Sequence, residues 1–386
     1  MKLLTVCLHL LMLFYAFSVT MIAPMLPVLI EQYNLSLGQG GLFMTFLSIG
    51  GILAILAGGM VIDRLKKSLV VGASFLVYSC CLLLMDLVPS FKVLLGMFFI
   101  LGASTKLLDT TINAFVSDLH GDNRSFQINL LHTFFGIGAL LGPLYSRVLL
   151  THGVFWGNTF RLLGAICLFI MLLYTVSLKV YPESGQRMKT SGAKSRFGFV
   201  FSREIILLCI IMILYKGHQS GVNNWLPMYL QDTLKFDPFF SSLALSVFWV
   251  GLILARLTCP RLLRWIDSRQ LLLWGNFLGG IILLGGLIIN IPLVLMLSVG
   301  ITGFLTGATM PLLIVLGCDW YPENSGAVSS MIYLSSTFSN MLFPWAIGVV
   351  GEATSFKGGM LLTGLPLLMI LIFILPLLKR DSFKER

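Results

Sequence analysis

Two stretches that echo each other decide how this chain is read: "APMLPVLIEQYNLS" at 23–36 and "NNWLPMYLQDTLKF" at 223–236. Leu26-Pro27 and Leu226-Pro227 stand at an offset of 200. Further on, "SDLHGDNRS" at 117–125 is answered by "CDWYPENSG" at 318–326, which sets Asp118 against Asp319 and Asn123 against Asn324 at an offset of 201. Pro143 and Pro344 keep the same offset of 201. Landmarks that hold one spacing over so long a stretch mark an internal repeat. The chain is read as two related halves, an arrangement that in membrane carriers places the binding site at their interface near the bilayer midplane.

Composition says what the halves are made of. Of the 386 residues, 57% are hydrophobic and 11% charged, and the mean hydropathy is +0.93. Soluble domains are about 25% charged, so this is a polytopic membrane protein. A membrane helix needs about 20 apolar residues. Apolar runs fall near 4–30, 38–62, 68–88, 91–117, 127–150, 158–180, 204–231, 238–260, 270–290, 291–317, 326–350 and 358–379. The expected fold is all-α, with twelve transmembrane helices in two pseudo-symmetric six-helix bundles. Residues 1–180 form the N-terminal bundle, 181–203 a basic cytoplasmic linker, and 204–386 the C-terminal bundle with a short basic tail. The first run is too long for a signal peptide and further spans follow it, so it is read as the first helix.

The net charge of +10 sits in short loops rather than on a soluble basic face, which argues against a nucleic-acid partner. With the N-terminus inside, nineteen of the 26 Lys and Arg are cytoplasmic. The outside loops then hold five: Lys92, Arg147, Arg161, Lys235 and Lys357. This asymmetry places both termini in the cytoplasm of a cell membrane. The seven cysteines show no metal or redox spacing. No phosphate-binding GxxxxGK[ST], catalytic triad or metal cluster stands out, so no catalytic residue, cofactor or metal is expected, and the protein is read as no enzyme.

"GASTKLLDTTINAF" at 102–115 sets Lys106 and Asp109 inside the fourth apolar run. The other fifteen of the sixteen acids lie in or next to loops, at span ends or in the termini. A charge at the centre of a membrane helix costs about 2.5–3.5 kcal/mol on insertion scales, so it should face protein or a water-filled cavity. Lys106, Asp109 and Asn113 share one helix face at i, i+3 and i+7. An inert intrahelical pair is one reading. The other is a working pair, in which a proton on Asp109 frees Lys106 and a bound anion on Lys106 favours that proton.

The second-to-third loop reads "GGMVIDRLKKS". It resembles the major facilitator superfamily signature G-x-x-x-D-R-x-x-R/K-R/K, through Gly59, Asp63, Arg64, Lys66 and Lys67. The resemblance implies a secondary transporter with a cytoplasmic gate at Gly59, Asp63, Arg64 and Lys67, joined by Asp118 and Arg124. "GASTKLLDTTINAFVSD" is similar to the fourth-helix pattern of the fucose permease-like branch, the fucose and glucose-galactose proton symporters. There Asp109 stands where the branch has a proton-carrying glutamate, and Asn113 where it has an asparagine. "NLLHTFFGIGALLGP", "YKGHQSGVNNWLPMYL" and "LSVFWVGLILAR" also resemble that branch. Ala23 and Gln219 replace two of its acids, and Lys106 and Lys216 have no counterpart in it.

Other polar groups within the spans complete the candidate site. His132 joins Asp109 as a proton-coupling candidate, or is a packing residue; it shares a face with Asn129. Lys106, Asn113, Asn129, Lys216, Gln219, Asn223, Asn224, Trp225, Trp249 and Asn340 are the substrate candidates, since amides bond hydroxyls and aromatic faces stack on sugars. Asn223 and Asn224 could instead cap a helix break before Pro227. The expected function is proton-coupled transport of a sugar or similar polar solute by alternating access. Transport of an acidic solute, export of a drug or metabolite, and a membrane sensor on the same fold remain alternatives. The expected partners are the solute, protons and the lipid bilayer, with the chain acting as a monomer.

Overall fold

The structure is a computed structural model that describes residues 2–62, 65–87, 90–120, 124–180 and 202–378. The first span is α1 (Lys2–Thr20), a 3-10 turn at Ala23–Met25, and α2 (Leu26–Gln32). Then come α3 (Leu37–Ile62), α4 (Lys67–Leu84), α5 (Phe91–His120), α6 (Arg124–Thr151) and α7 (Trp156–Val180). The second half opens with α8 (Arg203–Met228), which passes into a π-helical turn at Tyr229–Thr233. It continues through α9 (Pro238–Leu262), α10 (Ser268–Ile289), α11 (Pro292–Thr306), α12 (Thr309–Trp320), α13 (Ser325–Ala353) and α14 (Phe356–Leu378). No strand occurs among the described residues.

Among the described residues, eleven segments are long and apolar enough to cross a membrane. The twelfth spanning helix is α13, whose 29 residues reach about 43 Å at 1.5 Å per residue. Its serines and threonines lower its hydropathy. The tenth span is α11 and α12 together, interrupted at Gly307-Ala308. Helices suit this environment because every backbone polar group is satisfied within the segment. Hydroxyls do likewise by bonding back one turn, as Thr105 Oγ1 does to the Leu101 carbonyl (2.7 Å) and Thr302 Oγ1 to the Ser298 carbonyl (2.7 Å).

The chain divides into two compact units, Met1–Lys189 and Thr190–Arg386. Apart from Ser202 and Arg203, the expected linker lies outside the described residues. In the first unit α3 packs on α5, α1 on α6 and α7, and α4 on α5 and α7. In the second unit α9 packs on α11, α8 on α13 and α14, and α10 on α11 and α14. Span for span, these are the same pairs.

The repeat holds at single contacts. A Cβ on Gly50 would meet the Phe99 carbonyl oxygen at 2.0 Å, and one on Gly251 the Gly300 oxygen at 2.3 Å. A Cβ on Gly102 would meet the Leu47 oxygen at 1.8 Å, and one on Gly303 the Phe248 oxygen at 2.5 Å. All four pairs keep the offset of 201. Glycine is required because the helix backbones touch there. Between the first and fifth spans a Cβ on Gly142 would meet the Phe17 oxygen at 2.5 Å. The matching positions in the other half exchange sizes: a Cβ on Gly217 would meet the Phe343 ring at 2.5 Å. Volume is kept while its owner changes.

Two sequence expectations are corrected. Arg147 and Arg161 are not loop residues: Arg147 lies within α6 and is buried, and Arg161 lies within α7. Arg161 pairs with the buried Asp86 at 2.8 Å. For Arg161, helical backbone continues into what was counted as loop because Asp86 inside the fold balances the charge. Nor do Asn223 and Asn224 cap a break. Helix α8 runs through them to Met228, and Asn224 Nδ2 donates to the Ser220 carbonyl one turn back (2.7 Å). The departure from α geometry comes after Pro227, in the π turn. Its counterpart near Pro27 is the 3-10 turn at Ala23–Met25, so the echoed Leu-Pro marks a helix irregularity in both halves.

Candidate functional site

In the N-terminal unit the candidate site is one face of α5. Asp109 Oδ1 accepts from Asn113 Nδ2 at 3.1 Å, and the same amide donates to the Asp109 carbonyl at 2.8 Å. Lys106 Nζ lies 3.7 Å from Asp109 Oδ2. The side chains of Lys106 and Asp109 are 24% and 23% exposed, so the pair is sheltered but reachable. The hydroxyl of Tyr15 on α1 lies beside Lys106, close enough to feel both charges. The carboxylate thus has an amide donor on one side and an ammonium on the other. Adding a proton to Asp109 weakens its hold on both.

Tyr15 was absent from the sequence expectations. A signal for it existed, because the offset of 200 that aligns the Leu-Pro pairs also aligns Tyr15 with Tyr215. Helical spacing on α5 could not reveal a partner on α1.

His132 is half-buried on α6. Gly138 of the same helix sits against Leu13 of α1, and His132 is six residues earlier, about 9 Å along the axis. At that depth α1 carries His9, which is buried, forms a T-shaped pair with Phe134 at 5.2 Å between ring centroids, and donates Nδ1–H to the Thr5 carbonyl at 2.7 Å. Thr5 Oγ1 bonds Nε2 of His120, at the end of α5, at 3.0 Å. Near that end Lys67 of α4 pairs with Asp118 of α5. Of the other expected gate residues, Gly59 lies within α3, Asp63 and Arg64 lie outside the described residues, and so does the side chain of Arg124, as does that of the substrate candidate Asn129.

The C-terminal unit gathers its polar groups on α8. Lys216 Nζ donates to Gln219 Oε1 at 2.6 Å and lies 5.8 Å from the centre of the Tyr215 ring. Trp249 Nε1–H on α9 donates to Asn223 Oδ1 at 3.2 Å. Gln219, Asn223, Asn224 and Trp249 are all buried. Asn224 Oδ1 has no hydrogen-bond partner among the described residues. Trp225 is fully buried, donates its indole N–H to the Pro344 carbonyl at 2.9 Å and packs on Phe356; it ties α8 to α13 and α14. His218 does similar work, with Nδ1 on the Thr363 carbonyl at 2.9 Å. Asn340 is half-buried on α13. Lys216 with Gln219 and Asn223 with Trp249 are therefore brought together, while Trp225 is held by the scaffold.

Twelve spanning helices in two repeated halves, with charged and amide side chains inside the spans, define a multi-pass membrane transporter. Residues 8–289 match the Major Facilitator Superfamily, and the chain belongs to that family. It is 24% identical over 331 residues to the "Uncharacterized MFS-type transporter YfkL" of Bacillus subtilis (strain 168), covering 84% of this chain and 83% of the relative. It is 22% identical over 335 residues to the "Glucose/mannose transporter GlcP" of the same organism, covering 83% and 81%. In structure it is similar to a bacterial homologue of the human lysosomal transporter Spinster, with a TM-score of 0.83 at 14% identity over 99% of this chain and 98% of that one.

Proposed function

We propose that this transporter moves a sugar or sugar-like solute by alternating access and couples that movement to protons at Asp109. The observation that carries the coupling is the setting of Asp109. It is a carboxylate well inside a spanning helix, sheltered, and held by Asn113 and Lys106 so that gaining a proton weakens both contacts. Solute hydroxyls would bond the α8 amides Gln219, Asn223 and Asn224, with Trp249 as the apolar wall. The similarity to a glucose/mannose transporter supports a sugar as cargo. Both termini are assigned to the cytoplasm from the distribution of Lys and Arg, and Lys67–Asp118 to the cytoplasmic gate.

The test is uptake of labelled D-glucose, D-mannose and L-fucose into proteoliposomes under an imposed pH gradient. Accumulation driven by inward-directed protons is expected, and Asp109→Asn abolishes the drive while leaving solute exchange in place. Equal pH dependence in wild type and Asp109→Asn ends the coupling assignment.

A second reading is an acidic solute, favoured by the two ammonium groups of Lys106 and Lys216 inside the spans against the carboxylate of Asp109. Sugar acids raising the thermal stability of the purified protein more than neutral sugars would select it. Lys216→Gln should then remove the difference.

A further inference from the structure

We propose that the connection between α9 and α10 binds the phosphate headgroup of an anionic phospholipid, with an acyl chain lying along α10. With the helix ends that flank it, the connection reads "RLLRWIDSR" at 261–269. Trp265 within it is 87% exposed, the most exposed large apolar side chain among the described residues, and Trp274, nearly two turns into α10, is 55% exposed. Indoles uncovered at the end of a membrane helix belong at the headgroup level, where the ring meets chains and the N–H meets water.

Charge supplies the selectivity. Arg261 and Arg264 are exposed. Arg269 is pinned, with Nη1 donating to the Leu377 carbonyl at the end of α14 (3.2 Å) and Nε 3.5 Å from Asp267 Oδ1. Asp267 also caps α10 through the Arg269 backbone N–H at 2.8 Å. The stretch thus carries three arginines against one aspartate. Arg269 borders a groove of about 340 Å³ lined by Asp267, Arg269, Gln270, Leu273, Trp274 and Leu378. Guanidinium groups match phosphate oxygens in geometry as well as sign.

Shape selects a lipid over a soluble phosphate. Trp274, Leu278 and Ile281 are 55%, 42% and 46% exposed and follow one another at i, i+4 and i+7. They make an apolar track that starts at the groove and runs down α10. The tail beyond Leu378, "KRDSFKER", carries four basic residues against two acidic ones, so by charge it is a poorer match for an arginine site than an anionic headgroup. The matching stretch of the first unit, "RLKKS", has no tryptophan, and its Lys67 is engaged by Asp118.

The test uses the full chain in mixed vesicles, with tryptophan emission quenched by bromolipids. Brominated phosphatidylglycerol is expected to quench at about tenfold lower mole fraction than brominated phosphatidylcholine. Arg261→Gln with Arg264→Gln, both at exposed positions, should remove that preference. Trp265→Phe with Trp274→Phe should remove the preferentially quenched emission. A variant lacking residues 379–386 should behave as wild type. Equal quenching by the two lipids overturns the proposal, as does a preference that survives the double arginine variant. A preference lost with the tail instead assigns the lipid to the tail. Displacement of the bromolipid by inorganic phosphate at matched ionic strength makes the site one for a soluble anion. Each of these outcomes is readable whether or not the protein carries sugar.

Discussion

The two halves share a scaffold and differ in what they place on it. Asp109, Lys106 and Asn113 on α5 correspond, at the offset of 201, to Met310, Gly307 and Ile314. The helix that carries charge in the first half is apolar and interrupted at Gly307-Ala308 in the second. Conversely Gln219, Asn223 and Asn224 on α8 correspond, at the offset of 200, to Val19, Ala23 and Pro24 on the first span. Duplication fixed the packing, and the chemistry then diverged by position. The intramembrane acid went to the fourth span and a row of neutral amides, beside Lys216, to the seventh. On the proposed function this is a division of labour, with the proton handled by one half and solute hydroxyls by the other.

The shared scaffold breaks most severely at the glycines. Gly102→Leu and Gly303→Leu should each prevent accumulation of folded protein, since overpacking costs about 1–3 kcal/mol or more where backbone cannot yield. Gly102→Leu should be the worse, because its Cβ starts 1.8 Å from a carbonyl oxygen rather than 2.5 Å. Yield and melting temperature in detergent check both.

Next in size is the coupling. Asp109→Asn should lower proton-driven accumulation by at least about tenfold, the factor that 1.4 kcal/mol represents, with counterflow exchange retained. Met310→Asp added to that variant should not restore the drive, because Ile314 and Gly307 stand where Asn113 and Lys106 flank Asp109.

The amides come third. Asn223→Leu removes the acceptor of the Trp249 N–H and should raise KM by about fivefold to tenfold, as for one lost hydrogen bond of about 1 kcal/mol or somewhat more. Its pH profile should stay that of wild type, and a shifted profile would break the division between the halves. Smallest is Asp118→Asn. The carboxylate is 35% exposed, and exposed pairs contribute about 0–1 kcal/mol. Melting should barely move, while the rate of exchange shifts if the Lys67–Asp118 contact opens in each cycle.

Much of this was legible along the chain. The Leu-Pro echo marked the two places where the helix leaves α geometry, and the i, i+3, i+7 spacing put Lys106, Asp109 and Asn113 on one face. The offset also held Gly50 with Gly251 and Gly102 with Gly303, although nothing local told these apart from the other glycines. Asn223 and Asn224 suggested a cap because amides serve that role at helix ends. In the fold one bonds back along its own helix and the other meets a tryptophan from α9. Arg147 looked like a loop residue because only tertiary packing can shelter its charge within α6.

Composition, charge asymmetry and the repeat are sums over the chain, so the sequence by itself determined a polytopic membrane protein in two related halves and singled out Asp109. Partners across helices are set by which faces touch. The tertiary structure therefore decided that Tyr15 meets Lys106, that Trp249 meets Asn223, that Trp225 is spent on the scaffold, and that Trp265 is left uncovered among arginines. Periodicity fixes a direction around one helix axis. A contact needs two such directions to converge at one depth, and only the packed helices supply that.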